Sequence, residues 1–326
     1  MSLDLHPVVE ALAKARQSPG SMKAATMTFA VYFGDAGVAD WVHDRTRALA
    51  EKHPSRVVIF DGTKGTDERR VEPSIARGEW IEIGVQDANA HELAAALTML
   101  ELPEAPVVLL WIADAVADDD RFITLARRAI ATICSTSVTR TDERSLHDLT
   151  TLVERHPEIA IHDIAYLRLT AWQELIAEFF DTPGCQRELR ALRNVEVTSG
   201  SDAEMYYLLG WLASRLAWTP TTSGTFTTSG GGSVHFTMIR SGPPRRLSKV
   251  VLASDQATFT ASVHTDDVNA ISLESGGSAQ CAPRCAPFHT VDLASLVERA
   301  ILSRSRDEAF VESLTMARHI IERQLS

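Results

Sequence analysis

Hydrophobic and polar positions follow two rhythms along this chain. Residues 26–33 (TMTFAVYF) are a run of β-branched and aromatic side chains, and 37–52 (GVADWVHDRTRALAEK) then repeat their apolar positions at helical period. The rhythm changes again and again. Residues 56–61 (RVVIFD) and 79–85 (EWIEIGV) read as strands on either side of a charged loop over 62–70, and 89–101 (NAHELAAALTMLE) read as a helix with Asn89 as its N-cap. Residues 105–112 (APVVLLWI) are continuously apolar, the pattern of a strand covered on both faces. Segments 120–130 and 142–156 read as helices, with 131–138 between them as a further strand. A short helix over 5–17, stopped by Ser18-Pro19-Gly20, precedes the series. Strand and helix in alternation predict a mostly parallel sheet with helices on both sides.

The second half has a different order. Helical segments over 161–181 and 201–217 enclose a short strand at 193–199. Residues 219–233 are rich in Ser, Thr and Gly, lack any period, and read as a mobile loop. Strand-like runs at 234–240, 246–253, 257–263 and 268–273 are separated by turn signals and are expected to pair as a meander. Helices over 291–303 and 307–324 close the chain. The fold class expected is therefore α/β. A three-layer α/β domain spans 1–157, and an α+β domain with an antiparallel sheet and helices on one face spans 158–326.

Composition narrows the function classes. The chain has 326 residues, 45% of them hydrophobic and 23% charged, the balance of a globular protein with a sizeable core. The first fifteen residues contain Asp4 and Glu10 and no basic start, so no secretory signal is expected and the reading is cytoplasmic. Net charge is −11, and Lys/Arg runs do not exceed pairs such as Arg245–Arg246. A protein that neutralises phosphates needs a basic face, so neither nucleic acid nor an anionic membrane is an expected partner. Four cysteines in a chain of this length are not a disulfide framework.

Three stretches carry chemistry worth weighing. Gly34-Asp35-Ala36-Gly37 joins the first strand to a helix, where a nucleotide-binding fold cradles pyrophosphate; it holds G-x-x-G, which an ordinary turn explains equally well. Cys281, Cys285 and His289 lie four apart, as soft metal ligands or a reducible thiol pair, with His264 as an unspecified fourth ligand; Pro283 and Pro287 prevent a helix that would align them. Asp114–Asp120 follows the buried strand, either as a metal-binding edge or as a solvated loop whose Asp120 caps the next helix. The 11 histidines are scattered, and no catalytic residue, cofactor site or metal site is assigned from spacing.

Residues 163–181 (DIAYLRLTAWQELIAEFFD) and 206–218 (YYLLGWLASRLAW) place Arg168 and Trp172 on one amphipathic helix and Trp211 and Arg215 on another. Tryptophan with arginine and little lysine is the composition of interface anchors. A domain core with one buried arginine paired to Asp163 or Glu204 fits the same pattern.

Together with 53–60 (HPSRVVIF), 102–114 (LPEAPVVLLWIAD) and 210–216 (GWLASRL), these segments resemble, in the same order, the OpcA family of glucose-6-phosphate dehydrogenase assembly proteins. Tyr166 stands where the family usually has Trp, and Gln173 where it often has Arg. The resemblance implies a non-catalytic assembly or allosteric activating factor of the oxidative pentose phosphate pathway. It would bind the glucose-6-phosphate dehydrogenase oligomer without a cofactor. Asp163, Arg168, Trp172, Trp211 and Arg215 become family-signature or partner-binding positions. The alternative is an α/β enzyme or sensor that binds a sugar phosphate or nucleotide at the C-terminal edge of the N-terminal sheet. A third reading is a scaffold gated by Cys281, Cys285 and His289.

Overall fold

Every residue of strand β1 (Met27–Phe33) is buried, as is every residue of β2 (Ser55–Asp61) and β5 (Val107–Ile112). Only a sheet covered on both faces removes alternate side chains from water in this way. The computed structural model of the protein describes residues 3, 5–16, 25–73, 78–114, 117–136, 142–181, 183–222, 224–264, 266–277, 284–288, 292–302 and 306–325. It divides into two compact units, Met1–Thr139 with Thr151–Asp163 and Asp292–Asp307, and Arg140–Thr150 with Ile164–Val291 and Glu308–Ser326.

The first unit carries a seven-stranded sheet in the order β3-β4-β2-β1-β5-β6-β7, where β3 is Arg69–Pro73, β4 Gly78–Gly84, β6 Ala131–Cys134 and β7 Ile161–Asp163. All neighbours pair in parallel except β3, which runs antiparallel to β4. β3 lies in part of the stretch read as a loop: its charged residues serve an edge strand, where one face stays wet. Helices α1 (His6–Arg16), α2 (Ala39–Lys52), α3 (Ala90–Leu100) and α4 (Asp120–Ala126) alternate with the strands. Asn89 caps α3 through a reciprocal capping box with Glu92. The cap of α4 is Asp119, not Asp120: its carboxylate accepts from the amides of Arg121 and Phe122. Helix α5 (Asp142–Arg155) comes next in the chain. From far along the sequence, α10 (Leu293–Leu302) returns to this unit, with Asp292 2.5 Å from Lys52 and Glu298 2.8 Å from His53.

The second unit is built on an eight-stranded sheet in the order β15-β14-β13-β12-β8-β11-β10-β9. Its strands are β8 (Leu192–Ser199), β9 (Thr219–Thr222), β10 (Thr225–Thr227), β11 (Ser233–Arg240), β12 (Leu247–Ser254), β13 (Ala257–Val263), β14 (Ala270–Gly277) and β15 (Arg284–Pro287). The sheet is mixed, not antiparallel, because β8 inserts between β11 and β12 and pairs in parallel with β11. The expected meander therefore starts only at β12. Residues 219–233, read as a mobile loop, contain β9, β10 and the first residue of β11, with Phe226 fully buried against Trp218 and Phe236. One aromatic anchor in a polar run suffices to fix the hairpin, and a composition rule does not see it.

The helix expected over 161–181 is three elements. After β7, α6 (Ile164–Leu167) ends where the Leu169 amide donates to the Tyr166 carbonyl, and α7 (Thr170–Glu178) begins. The Thr170 hydroxyl donates back to the Leu167 carbonyl at 3.0 Å, a local bond that competes with a continuous helix. Helices α8 (Pro183–Arg190), α9 (Asp202–Leu216) and α11 (Glu308–Leu325) complete the unit. Ser201, the N-cap of α9, makes no side-chain cap bond; Asp142 instead accepts from the amides of Asp202 and Ala203 at 2.8 Å each. Among the described residues no helix is long and apolar enough to cross a membrane.

Candidate functional site

Arg168 and Trp172 sit one helical turn apart across the α6–α7 break, and both line a small cleft in the second unit. The cleft measures about 40 Å³. Arg245 and Arg246, just before β12, form another part of its wall, with Glu204 of α9 and the ring of Phe288. Trp172 is buried and meets Phe288 edge to face at 5.7 Å.

Glu204 is 1% exposed and lies 3.4 Å from the Arg168 guanidinium. The Ser201 hydroxyl also donates to it. Burial raises its carboxyl above the ordinary range, and the bonds from Ser201 and Arg168 act against that rise. Of the two partners expected for a buried arginine on these helices, Glu204 is thus a direct one, and the arginine is Arg168.

The arginine pair is held by backbone. The segment between β11 and β12 crosses the end of β8, where the Gly200 amide donates to the Arg246 carbonyl at 3.0 Å and the Ser199 hydroxyl to the same oxygen at 3.1 Å. A Cβ on Gly200 would overlap the Pro243 carbonyl, so only glycine allows this crossing. Arg245 takes up φ 60°, in the left-handed region. That conformation costs a residue with a side chain about 1–3 kcal/mol, and such strain gathers at ligand sites. Arg246 donates to the Val268 carbonyl through Nη2, while its buried Nε has no partner.

The other positions singled out from the sequence fall elsewhere. Trp211 is partly exposed on α9, and Arg215 is exposed in an ion pair with Glu312 of α11. Asp163 belongs to the first unit: it ends β7, is fully buried, and accepts from the Thr136 amide at 3.4 Å. Arg245, Arg246 and Phe288 were not singled out by sequence as part of a site, whose one signal there was the basic pair at 245–246; Glu204 entered only as a partner for a buried arginine.

The remaining candidates resolve locally. In the Gly34–Gly37 turn, the Asp35 carboxylate accepts from the Gly37 amide at 2.8 Å. At the end of β2, buried Asp61 accepts from the Thr63 amide and hydroxyl and pairs with Lys64 at 3.0 Å. Lys64 bridges on to Glu82 at 2.8 Å, and both carboxylates hold its ammonium in the charged form. Cys281 and His289 lie outside the described residues; Cys285 is exposed on β15. Among the described residues no group of His, Cys, Asp and Glu is placed to hold a metal.

Comparison with known proteins follows the same two-part order. Residues 46–151 match the model of the glucose-6-phosphate dehydrogenase subunit N-terminal domain, and residues 159–314 that of the corresponding C-terminal domain. A Synechocystis sp. protein bearing the name OpcA is 35% identical over 139 residues, 42% of this chain and 29% of that protein. Its namesake in Nostoc punctiforme is 27% identical over 187 residues, 53% of this chain and 40% of that protein. The matched region thus spans well under half the length of these relatives. Among solved structures, a 3-ketoreductase from Actinomadura kijaniata, KijD10, in complex with TDP-benzene and NADP superposes with a TM-score of 0.55 at 11% identity, covering 92% of this chain and 97% of that one. A levoglucosan dehydrogenase in complex with NADH and L-sorbose gives 0.51 at 10% identity, with 92% and 96% covered. At such identities the likeness is one of fold.

Proposed function

Because this chain belongs to the OpcA family of glucose-6-phosphate dehydrogenase assembly proteins, we propose that it is a non-catalytic cytoplasmic factor that binds the dehydrogenase oligomer and favours its active form. The observation that carries this reading is the pair of family matches, which follow each other along the chain and take in strands β2 to β6 of the first unit, though not its central strand β1, and most of the second unit. Action by linkage needs only a preference: a partner that binds the active form ~3 kcal/mol more tightly shifts its ratio to the inactive form roughly 100-fold.

The fold neighbours' dinucleotide does not fit this chain. A pyrophosphate at the β1–α2 turn would need the Gly37 amide, which already faces the Asp35 carboxylate, and would meet that negative charge. A ribose at the end of β2 would need Asp61, whose oxygens are taken by Thr63 and Lys64. These contacts weigh against the reading of a nucleotide enzyme.

In the proposed role Arg215 and Trp211, at the surface end of α9, contact the dehydrogenase, while Trp172 holds the unit together. The test is to mix the chain with the dehydrogenase of the same organism and follow co-elution and turnover. Joint elution with raised activity is expected. Separate elution with unchanged kinetics across a range of concentrations would remove the proposal.

A further inference from the structure

We propose that the outer face of the eight-stranded sheet packs against the same face of a second copy of this chain. The inference concerns the second unit alone and does not rest on the dehydrogenase.

Strand pairing defines the face. Alternation along β8, β11, β12, β13 and β14 buries one set of side chains and leaves the other half-buried or exposed. The buried set includes Val195, Leu252 and Phe259, with Phe259 against Phe179 and Phe180 at the end of α7. The opposite set runs in rows across the strands. Thr237, Glu196, Val251, Thr260 and Glu274 form the middle row, each paired with the next, and none of the five is buried. The rows on either side are built likewise around Lys249 and Ala253, and Ile239 is 38% exposed.

Shape and charge both suit a second sheet. Serine, threonine, alanine and valine supply most of these positions, so the face is flat and lets another sheet approach to the ~10 Å spacing of packed sheets. The protein carries −11 overall, yet among the described residues of the three rows the charged ones are Glu196, Lys249 and Glu274. Glu196 and Lys249 pair with each other at 3.2 Å. Glu274 sits on β14, one strand from the edge of the sheet. A centre without excess charge and a charge toward the rim are the anatomy of an interface. Two copies of an acidic chain repel over most of their surface, and they meet at least Coulomb cost where the charge cancels.

Area selects the occupant. Strands ~4.8 Å apart with residues ~3.3 Å along them make the five long strands a face of about 600 Å², and all eight strands one of at most about 900 Å². A stable interface takes about 800 Å² from each partner. A single peptide strand would cover only a fraction of this. An identical sheet covers it, since a two-fold contact uses the same patch on both copies.

The full chain is sedimented alone over a range of concentrations, with Val251→Lys and Thr260→Arg beside it. The wild type is expected to form a dimer in equilibrium with monomer. Each variant, shown to be folded by far-ultraviolet circular dichroism, should dimerise at least tenfold more weakly. Hydroxyl-radical footprinting of the wild type needs no variant, and it should show protection of Val251 and Ile239 rising with the dimer fraction. A wild type that stays monomeric at every concentration would overturn the proposal. So would a dimer that both folded variants leave intact, or one in which Val251 and Ile239 gain no protection. A monomeric wild type whose joint elution with the dehydrogenase is lost in Val251→Lys would give the face to that partner instead, and the proposal would fail while the assembly role stood.

Discussion

Gly210 of α9 lies against the backbone of Ser313 in α11 so closely that an added Cβ would overlap the Ser313 carbonyl oxygen. The glycine of the GWLASRL segment is therefore a packing requirement: it lets two helices approach at backbone distance. Gly210→Ala should destabilise the second unit by about 1–3 kcal/mol, the usual range for an overpacked core, despite alanine's better helix propensity. Urea unfolding measures this, and a variant as stable as the wild type would show that the helices are not held at this distance.

Arg56, from the HPSR segment, is 4% exposed and works inside the first unit. It donates to the Leu100 and Glu101 carbonyls at 2.7 and 3.2 Å, closing the C-terminus of α3, and meets Glu79 at 2.5 Å. Arg56→Ala leaves buried carbonyls and a carboxylate without this partner, and a loss of ~3 kcal/mol is expected. Arg56→Lys should recover only part of it, because an ammonium cannot span all three acceptors. Denaturant midpoints of the two variants provide the comparison.

Trp172→Ala and Arg215→Ala separate fold from partner binding. Trp172 is 1% exposed, and its truncation should remove ~3–5 kcal/mol. The Arg215–Glu312 pair is at the surface, with side chains 43% and 52% exposed, so its loss should change stability by no more than ~1 kcal/mol. Under the proposed function Arg215→Ala still weakens co-elution with the dehydrogenase. Full retention of binding by this variant would take Arg215 out of the interface.

His162 predicts a pH dependence. It is buried, its Nε2 has no hydrogen-bond partner, and burial lowers its pKa below the ordinary 6.5, with Asp307 acting in the other direction. Between the lowered folded value and 6.5 the unfolded chain binds a proton that the native chain does not. Stability should therefore rise with pH across that window and be lost as pH falls through the folded value. His162→Gln should flatten the slope just below 6.5, as read from thermal midpoints at stepped pH. An unchanged slope would assign the effect to other groups.

Cys134 and Cys285 should differ in reactivity. Cys134 is fully buried, and both desolvation and the charge of Asp163 push its thiol well above the ordinary range, whereas Cys285 is exposed. A thiolate-selective reagent at neutral pH should label Cys285 in the native protein and Cys134 only after unfolding. Peptide mapping distinguishes the two, and native labelling of Cys134 would contradict its placement.

Periodicity alone determined much of this protein. The apolar runs that became β1, β2 and β5, the capped helix α3 and the long helices α9 and α11 were legible, because their stability is written in neighbouring residues: an apolar face, a cap, a β-branched run. The segments that carried the resemblance include Arg56, Gly210 and Trp172, each of which is buried or held at close packing inside its unit. Contacts between residues distant in the chain were not legible. Nothing local places β8 between β11 and β12, returns α10 to the first unit, or makes Asp142 rather than Ser201 the cap of α9. The cleft is the extreme case, since Arg168, Glu204, Arg246 and Phe288 come from four separate segments. Their juxtaposition is set by the close crossing at Gly200 and by a buried charge finding its partner, and both depend on the whole unit being folded.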